Sequence, residues 1–359
     1  MVEEDGAPAF HFSNDPIFKH PKTASLIEEM RQHMEQGRIF EARKIGQRLL
    51  AREKKPNTSA YYTKKIDPVR GLIDDIYHRA EHVESLLRDL NTDDDWQLAR
   101  EGKGVTVHFR KDEGSPLHLV RATSVFNNFM PNDFAKLCSL FVETELMHKW
   151  FPGGVMKPAT LLSWHSKYNK IIQLNIDIPI PFLSPRDCVV MGSGFHLPDQ
   201  NGKPAACNRI LEGADRPVPP AFLIVTKPIA DGESCSHCEI PKPAKGVVRM
   251  STESIFYIEL LPNNKISFKL IGRDDLKIRI MPTALLNHIS QGHLPFDLIR
   301  TVHRTIRNFE NSPWDVAMRE RREYYQEIED KVHEQLDNWK DMDEQSKKPH
   351  KHETAKQQP

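Results

Sequence analysis

Apolar residues follow a helical period at both ends of the chain and an alternating one through its middle. From Ser25 to Arg52 they fall at Leu26, Ile27, Met30 and Met34, then at Ile39, Phe40, Ile45, Leu49 and Leu50. Gly37 separates the two runs and Pro56-Asn57-Thr58 closes them. Recurrence every three or four residues marks an amphipathic helix, so this stretch predicts a helical hairpin. A third helix is predicted from Pro68 to Leu90. A fourth, from Pro131 to Trp150, carries Phe134, Leu137, Leu140 and Phe141 on one face.

Past Asp93-Asp94-Asp95 the period shortens. Val105, Val107 and Phe109 alternate with Thr106, His108 and Arg110, and Leu117–Asn127 is a second strand-like run. Further strands are predicted at Ala159–Trp164, Lys170–Ile176, Cys188–Phe195, Ala221–Thr226, Val247–Ile258 and Lys265–Ile271, the last two forming a hairpin about Pro262-Asn263-Asn264. Helices return at Pro282–Gln291, Pro295–Phe309 and Pro313 to about Trp339, and the tail from Ser346 lacks apolar residues. A long antiparallel run bracketed by helices buries one concave face against the last of them. The expected fold class is therefore α+β, a helix grip rather than a doubly wound sheet.

Composition narrows the function classes. Lys plus Arg and Asp plus Glu are 50 each in 359 residues, so no global field draws the chain to nucleic acid or to an anionic membrane. Five cysteines are few and odd in number, which points to a reducing compartment. Glu3, Glu4 and Asp5 with no apolar run after them do not make a signal peptide, and no apolar stretch is long enough to span a bilayer. The chain is expected to be soluble and cytoplasmic, meeting membranes from the side.

Asp95-Trp96-Gln97-Leu98 followed by Gly104-Val105-Thr106-Val107, Trp150 closing the following helix, and above all Ile178-Pro179-Ile180-Pro181-Phe182-Leu183-Ser184-Pro185-Arg186-Asp187 occur in an order with meaning. So do Gly246-Val247-Val248-Arg249 and, about thirty residues on, Ile280-Met281-Pro282 with a Leu-Leu-Asn helix. Together they resemble the START (StAR-related lipid transfer) domain over roughly residues 69–312, nearest in pattern to its phosphatidylcholine-transfer branch. The resemblance implies a tunnel for one lipid, a terminal helix as lid, transfer between membranes, and neither catalysis nor a cofactor. It also implies a structural role for Trp96, Trp150, Arg186 and Asp187, with a ligand-facing role as the alternative for Arg186 and Asp187.

The same resemblance places the ligand cavity against Phe141, Met147 and Phe151 from the helix before the strands. It adds Leu174, Ile176, Cys188, Val190 and Phe256 from the sheet, and Leu298 and Val302 from the lid. Met147, Phe151, Leu174 and Cys188 stand where that branch holds a zwitterionic head, and Gln173 and Gly192 where the sterol branch has an acid–base pair. An unpaired buried charge is expensive, so these residues favour a ligand with a small or neutral head: a sterol, diacylglycerol, fatty acid or isoprenoid-like molecule. Ile178, Ile180, Phe182 and Leu183, stiffened by prolines, form either a gate or a plug at the sheet end. In Pro295–Phe309 the apolar stripe Leu298, Ile299, Val302, Ile306 and Phe309 suits a lid or plain core. Arg300, Arg304 and Arg307 on its other side are a solvated face or a membrane contact.

The remaining signals are thinner. Cys235-Ser236-His237-Cys238 supplies two of the four ligands a structural zinc needs, and no second pair exists, so no metal is assigned. The N-terminal hairpin is similar to one tetratricopeptide unit, but arrays need about three. It is a docked hairpin or a partner-binding module, and the C-terminal helix is likewise an extension of the core or a face for a partner. The expected organisation is an N-terminus over 1–22, a hairpin over 23–66, the START-like domain over 69–312, a helix over 313–345 and a tail over 346–359. The leading functional expectation is binding and intermembrane transfer of one lipid. An interaction protein with an empty START fold, and a pocket enzyme on the same fold, are the alternatives.

Overall fold

The computed structural model describes residues 21–54, 60–111, 118–130, 132–177, 183–197, 221–230, 238–261, 264–278 and 293–347. Two compact units divide the chain: Met1–Met34 with Ile39–Glu81, and Glu35–Arg38 with His82–Pro359.

The first unit is helical. Helices α1 (Pro21–Glu35) and α2 (Ile39–Glu53) form the hairpin read from the sequence, and α3 (Ala60–Asn91) begins in this unit. Gly46 is where they close on one another, since a Cβ there would lie 3.3 Å from Ile73, 3.6 Å from Tyr77 and 3.8 Å from Met30. The start of α3 differs from expectation. It precedes Pro68 by eight residues, and the helix runs through that proline, whose ring forgoes one backbone bond. Ile66, buried before Pro68, and Val69, Ile73 and Ile76 after it, supply the compensating burial.

The second unit is built on one ten-stranded sheet. Its strands are β1 (Gln97–Gly102), β2 (Val105–Lys111), β3 (His118–Asn127), β4 (Thr160–Ser166), β5 (Asn169–Ile176), β6 (Arg186–Leu197), β7 (Ala221–Pro228), β8 (Val248–Arg249), β9 (Ser251–Leu261) and β10 (Lys265–Asp275). The antiparallel order is β1-β2-β3-β10-β9-β7-β6-β5-β4, with β8 pairing in parallel beside the start of β6. The pattern reading missed β1. Its hairpin to β2 turns on Lys103 and Gly104, both at positive φ, and Lys is not a residue that advertises such a turn. Irregular register in β1 and β4 falls at the two sheet edges, where bulges add twist and disrupt pairing with other chains.

Helix α4 (Asn132–Val142), a single turn α5 (Met147–Trp150) and α6 (His293–Arg307) cover the inner face, followed by α7 (Pro313–Glu320) and α8 (Arg322–Lys347). Phe134, Leu137 and Phe141 of α4 join Phe256, Phe268 and Leu270 of the sheet and Leu298, Ile299 and Val302 of α6 in one core. Aromatic rings dominate it, with Phe141 lying 4.4 Å from Phe256 and 5.9 Å from Phe268 between centroids. Tyr325, Ile328, Val332 and Leu336 of α8 join the same core. The single helix expected from Pro313 breaks at Arg321 (φ −112°, ψ 40°). That residue's guanidinium binds Glu143 at 2.8 Å and stacks over Trp164 and Tyr324, interactions a continuous helix would not have signalled.

Candidate functional site

Between the inner face of the sheet and α6 the second unit leaves a hollow of about 500 Å³. Side chains on a strand alternate, and those directly opposite on neighbouring strands share a face. One such row crosses the whole floor: Lys170 of β5, Gly192 of β6, Thr226 of β7, Ser254 of β9, Gly272 of β10 and Val120 of β3. All six line the hollow. The two glycines give it width, for a Cβ on Gly272 would meet nothing within 4 Å and one on Gly192 only Lys170 at 3.9 Å.

Phe141, Met147, Phe151, Leu174, Ile176, Phe256 and Leu298 also line the hollow, and the structure therefore brings these expected cavity residues together. Three others are corrected. Cys188 and Val190 lie on the same face, opposite Leu174 and Ile172, but pack into a cluster with Met156, Ala159 and Met250 and do not reach the wall. Val302 is wholly buried in the core, because α6 meets the hollow only through Leu294, Pro295 and Leu298 at its N-terminal end. Gln173, aligned with a cavity position, belongs to the opposite face of β5 and donates to Asp187 at 2.8 Å.

Arg186 and Asp187 begin β6 as buried residues. Asp187 accepts a forked pair of bonds from Arg249, both 2.8 Å, while Arg249 also donates to the Pro241 carbonyl at 2.8 Å. Arg186 donates to the carbonyls of Leu276 and Ser184. These bonds tie β6 to β8 and to the segment after β10, where Leu276 also lines the hollow; Arg186, Asp187 and Arg249 themselves do not line it. Trp150 is buried and its Nε1 donates to the Leu140 carbonyl at 3.0 Å, fixing α5 to α4. The guanidiniums of Arg110 and Arg121 lie 4.8 and 4.6 Å from the Trp96 ring centroid. Arg300, Arg304 and Arg307 are exposed on α6, with Asp297 3.8 Å from Arg300. Leu183 is half-buried, and Ile178, Ile180 and Phe182 lie outside the described residues, as does Cys235. No group of three or more metal-ligating side chains occurs among the described residues.

Polar groups at the wall were not anticipated. Thr226 and Ser254 pair through their hydroxyls at 2.7 Å, and the Thr252 hydroxyl donates to Asp274 at 2.6 Å. Asp274 is half-buried, and burial raises its pKa against the opposing bond from Thr252. Lys170 is half-buried, and burial pushes its ammonium down to about 8 against the nearby Glu145 and Glu143. Burial also pushes the Cys188 thiol up to about 12 and the Cys138 thiol well above the thiol range, which leaves both protonated and unreactive. The floor was hard to read because β5 is buried on both sides. Ile171 packs with Val189 and Ile229 behind the sheet, so the alternation that would have set Lys170 apart is hidden.

No family model matches the chain, and no curated protein matches it in sequence. Solved structures do. The human StAR-related lipid transfer protein 5 is similar at 16% identity and a TM-score of 0.47, over 64% of this chain and 94% of that one. Human STARD10 is similar at 16% and 0.46, over 62% and 77%, and a STAR-related lipid transfer protein fragment from Xanthomonas axonopodis at 19% and 0.44, over 60% and 99%. The described residues form an α+β fold, one ten-stranded sheet packed against helices. What the hollow takes up must follow from its own residues. Among the described residues, no helix is long and apolar enough to cross a membrane.

Proposed function

We propose that the chain binds one lipid-like molecule in the hollow, without chemistry, and carries it between membranes. The observation that carries this is the hollow itself: about 500 Å³ walled by Phe141, Met147, Leu174, Ile224, Phe256 and Leu298 and left unfilled by the side chains of the described residues. A methylene takes about the room of a water molecule, ~30 Å³, so one chain of roughly 16 carbons fits. Bringing such a chain through water exposes methylenes at about 0.8 kcal/mol each, roughly 13 kcal/mol in all. A carrier replaces that water with an apolar wall. The ligand's head is small or neutral, because Met147, Phe151 and Leu174 line the hollow where a bulky zwitterionic head would need polar partners. Release takes place at a membrane, with the exposed Arg300, Arg304 and Arg307 of α6 touching anionic head groups.

The test is native mass spectrometry of the full chain purified from lipid-containing cells. The expected result is a protein peak with one stoichiometric lipid that solvent releases unchanged. A protein that arrives empty and extracts nothing from mixed-lipid vesicles refutes the carrier and favours the interaction protein. Conversion of the recovered ligand on incubation would instead identify an enzyme.

A further inference from the structure

Four buried or half-buried cations surround the end of the hollow where β5 meets α4 and α8, and three of them have carboxylate partners. Arg321 pairs with Glu143 at 2.8 Å, Lys331 with Glu327 at 2.6 Å, and Lys167 with Glu327. Lys170 is different. Its Nζ donates to the carbonyl of Val142, the last residue of α4, and reaches the Thr144 hydroxyl at 3.5 Å. The ring of Trp164 lies 5.0 Å away. Among the described residues no carboxylate comes within ion-pair distance of it. An ammonium has three N–H groups, so one is left for another acceptor, and Val142, Thr144, Trp164 and Lys170 all line the hollow.

We propose that Lys170 is the head-group subsite of the hollow, and that the ligand it selects is a single-chain amphiphile with an anionic head, in the simplest case a long-chain carboxylate. The proposal rests on the lipid-binding reading above and narrows its small head to an acid. A buried cation without a counter-ion is costly, and a bound carboxylate supplies both the missing charge and the missing acceptor. The tail then runs along the row over Gly192 and Gly272, where no side chain blocks it, toward Phe256 and Leu298. A quaternary ammonium head is disfavoured beside Lys170, whose charge has no carboxylate within ion-pair distance among the described residues.

The ammonium also makes the site sensitive to alkali. The charged and titratable groups around it are Glu143 and Glu145 past the end of α4, Arg321 at the α7–α8 junction, Tyr324, Glu327 and Lys331 on α8, and Lys167 and Tyr168 before β5. Lys170 itself titrates near 8, so the anion's advantage is present at pH 7 and declines as the pH climbs past that value. One linked proton gives a loss of up to about tenfold per pH unit.

The experiment uses the delipidated full chain and titration calorimetry with three 16-carbon probes: hexadecanoate, hexadecane sulfonate and hexadecanol. The sulfonate keeps its charge at every pH used, so its pH dependence reports the protein. At pH 7 both anions should bind about tenfold or more tighter than the alcohol, the worth of one charge-assisted bond. Lys170→Met should bring that ratio to about one, and Lys170→Arg should keep it. Between pH 7 and 10 the sulfonate's advantage over the alcohol should fade in the wild type, a readout that does not depend on either variant folding. Binding of the alcohol with no anion preference, or a preference that survives Lys170→Met or pH 10, overturns the subsite alone. Failure of all three probes to bind overturns the carrier reading and this proposal together.

Discussion

Gly272→Leu fills the proposed lipid chamber without disturbing its walls. Gly272 sits mid-floor on β10, paired with Ser254 and Val120, and the space above its Cα is open to 4 Å. Its φ is not in the left-handed region, so the strand accepts a side chain there. Four added carbons at ~30 Å³ each occupy roughly 120 Å³, about a quarter of the hollow's about 500 Å³. A 16-carbon ligand would then have to leave about four methylenes unburied, costing roughly 3 kcal/mol or about 200-fold in affinity. A 12-carbon ligand still fits and should bind as before. Stability should not fall, since glycine inside a strand is itself a cost of about 0.5–1 kcal/mol relative to alanine. Calorimetric titration of an alcohol series from 10 to 18 carbons, with thermal unfolding of both proteins, reads all three quantities. Unchanged binding of the 16-carbon alcohol by a variant of undiminished stability would refute the placement of the chain over this floor.

Other consequences are as direct. Asp187→Ala leaves Arg249 buried without its carboxylate and should cost about 3–5 kcal/mol in urea denaturation; a loss under 1 kcal/mol would show that the fork contributes little. His196 is fully enclosed beside Tyr168 and Phe222, and burial together with Lys331, Arg38 and Lys167 holds its pKa well below 6.5. The unfolded chain therefore takes up a proton that the folded one refuses. Stability from this residue is complete above pH 6.5 and falls by up to about 1.4 kcal/mol per unit below it. His196→Phe should flatten the stability profile between pH 6.5 and 5, and equal slopes in the two proteins would contradict the assignment. Reversing the charges of Arg300, Arg304 and Arg307 should slow lipid transfer to anionic vesicles and leave neutral ones unaffected, at about 1 kcal/mol per lost contact. Equal slowing on both would remove the membrane role of α6.

The local code of the chain determined its element types and their order. Helical spacing was plain in α2 and α6, alternation was plain in β2 and β10, and the Arg186-Asp187 start of β6 stood out as a motif, because each depends on neighbours a few residues away. Register and close approach are different in kind. That Lys170, Gly192, Thr226, Ser254 and Gly272 share one row follows from four strand pairings spread over a hundred residues. That α8 begins at a break follows from Glu143 and Trp164 drawing in Arg321 across the fold. Burial of β5 on both faces erased the period that would have marked its inward lysine. Even Val302, expected as lining from the family resemblance, became core once α6 settled with only its first turns over the hollow. Periodicity tells which side of an element is apolar; only the packed structure decides which part of that side meets protein and which part meets empty space, since that depends on distances between segments that no local pattern encodes.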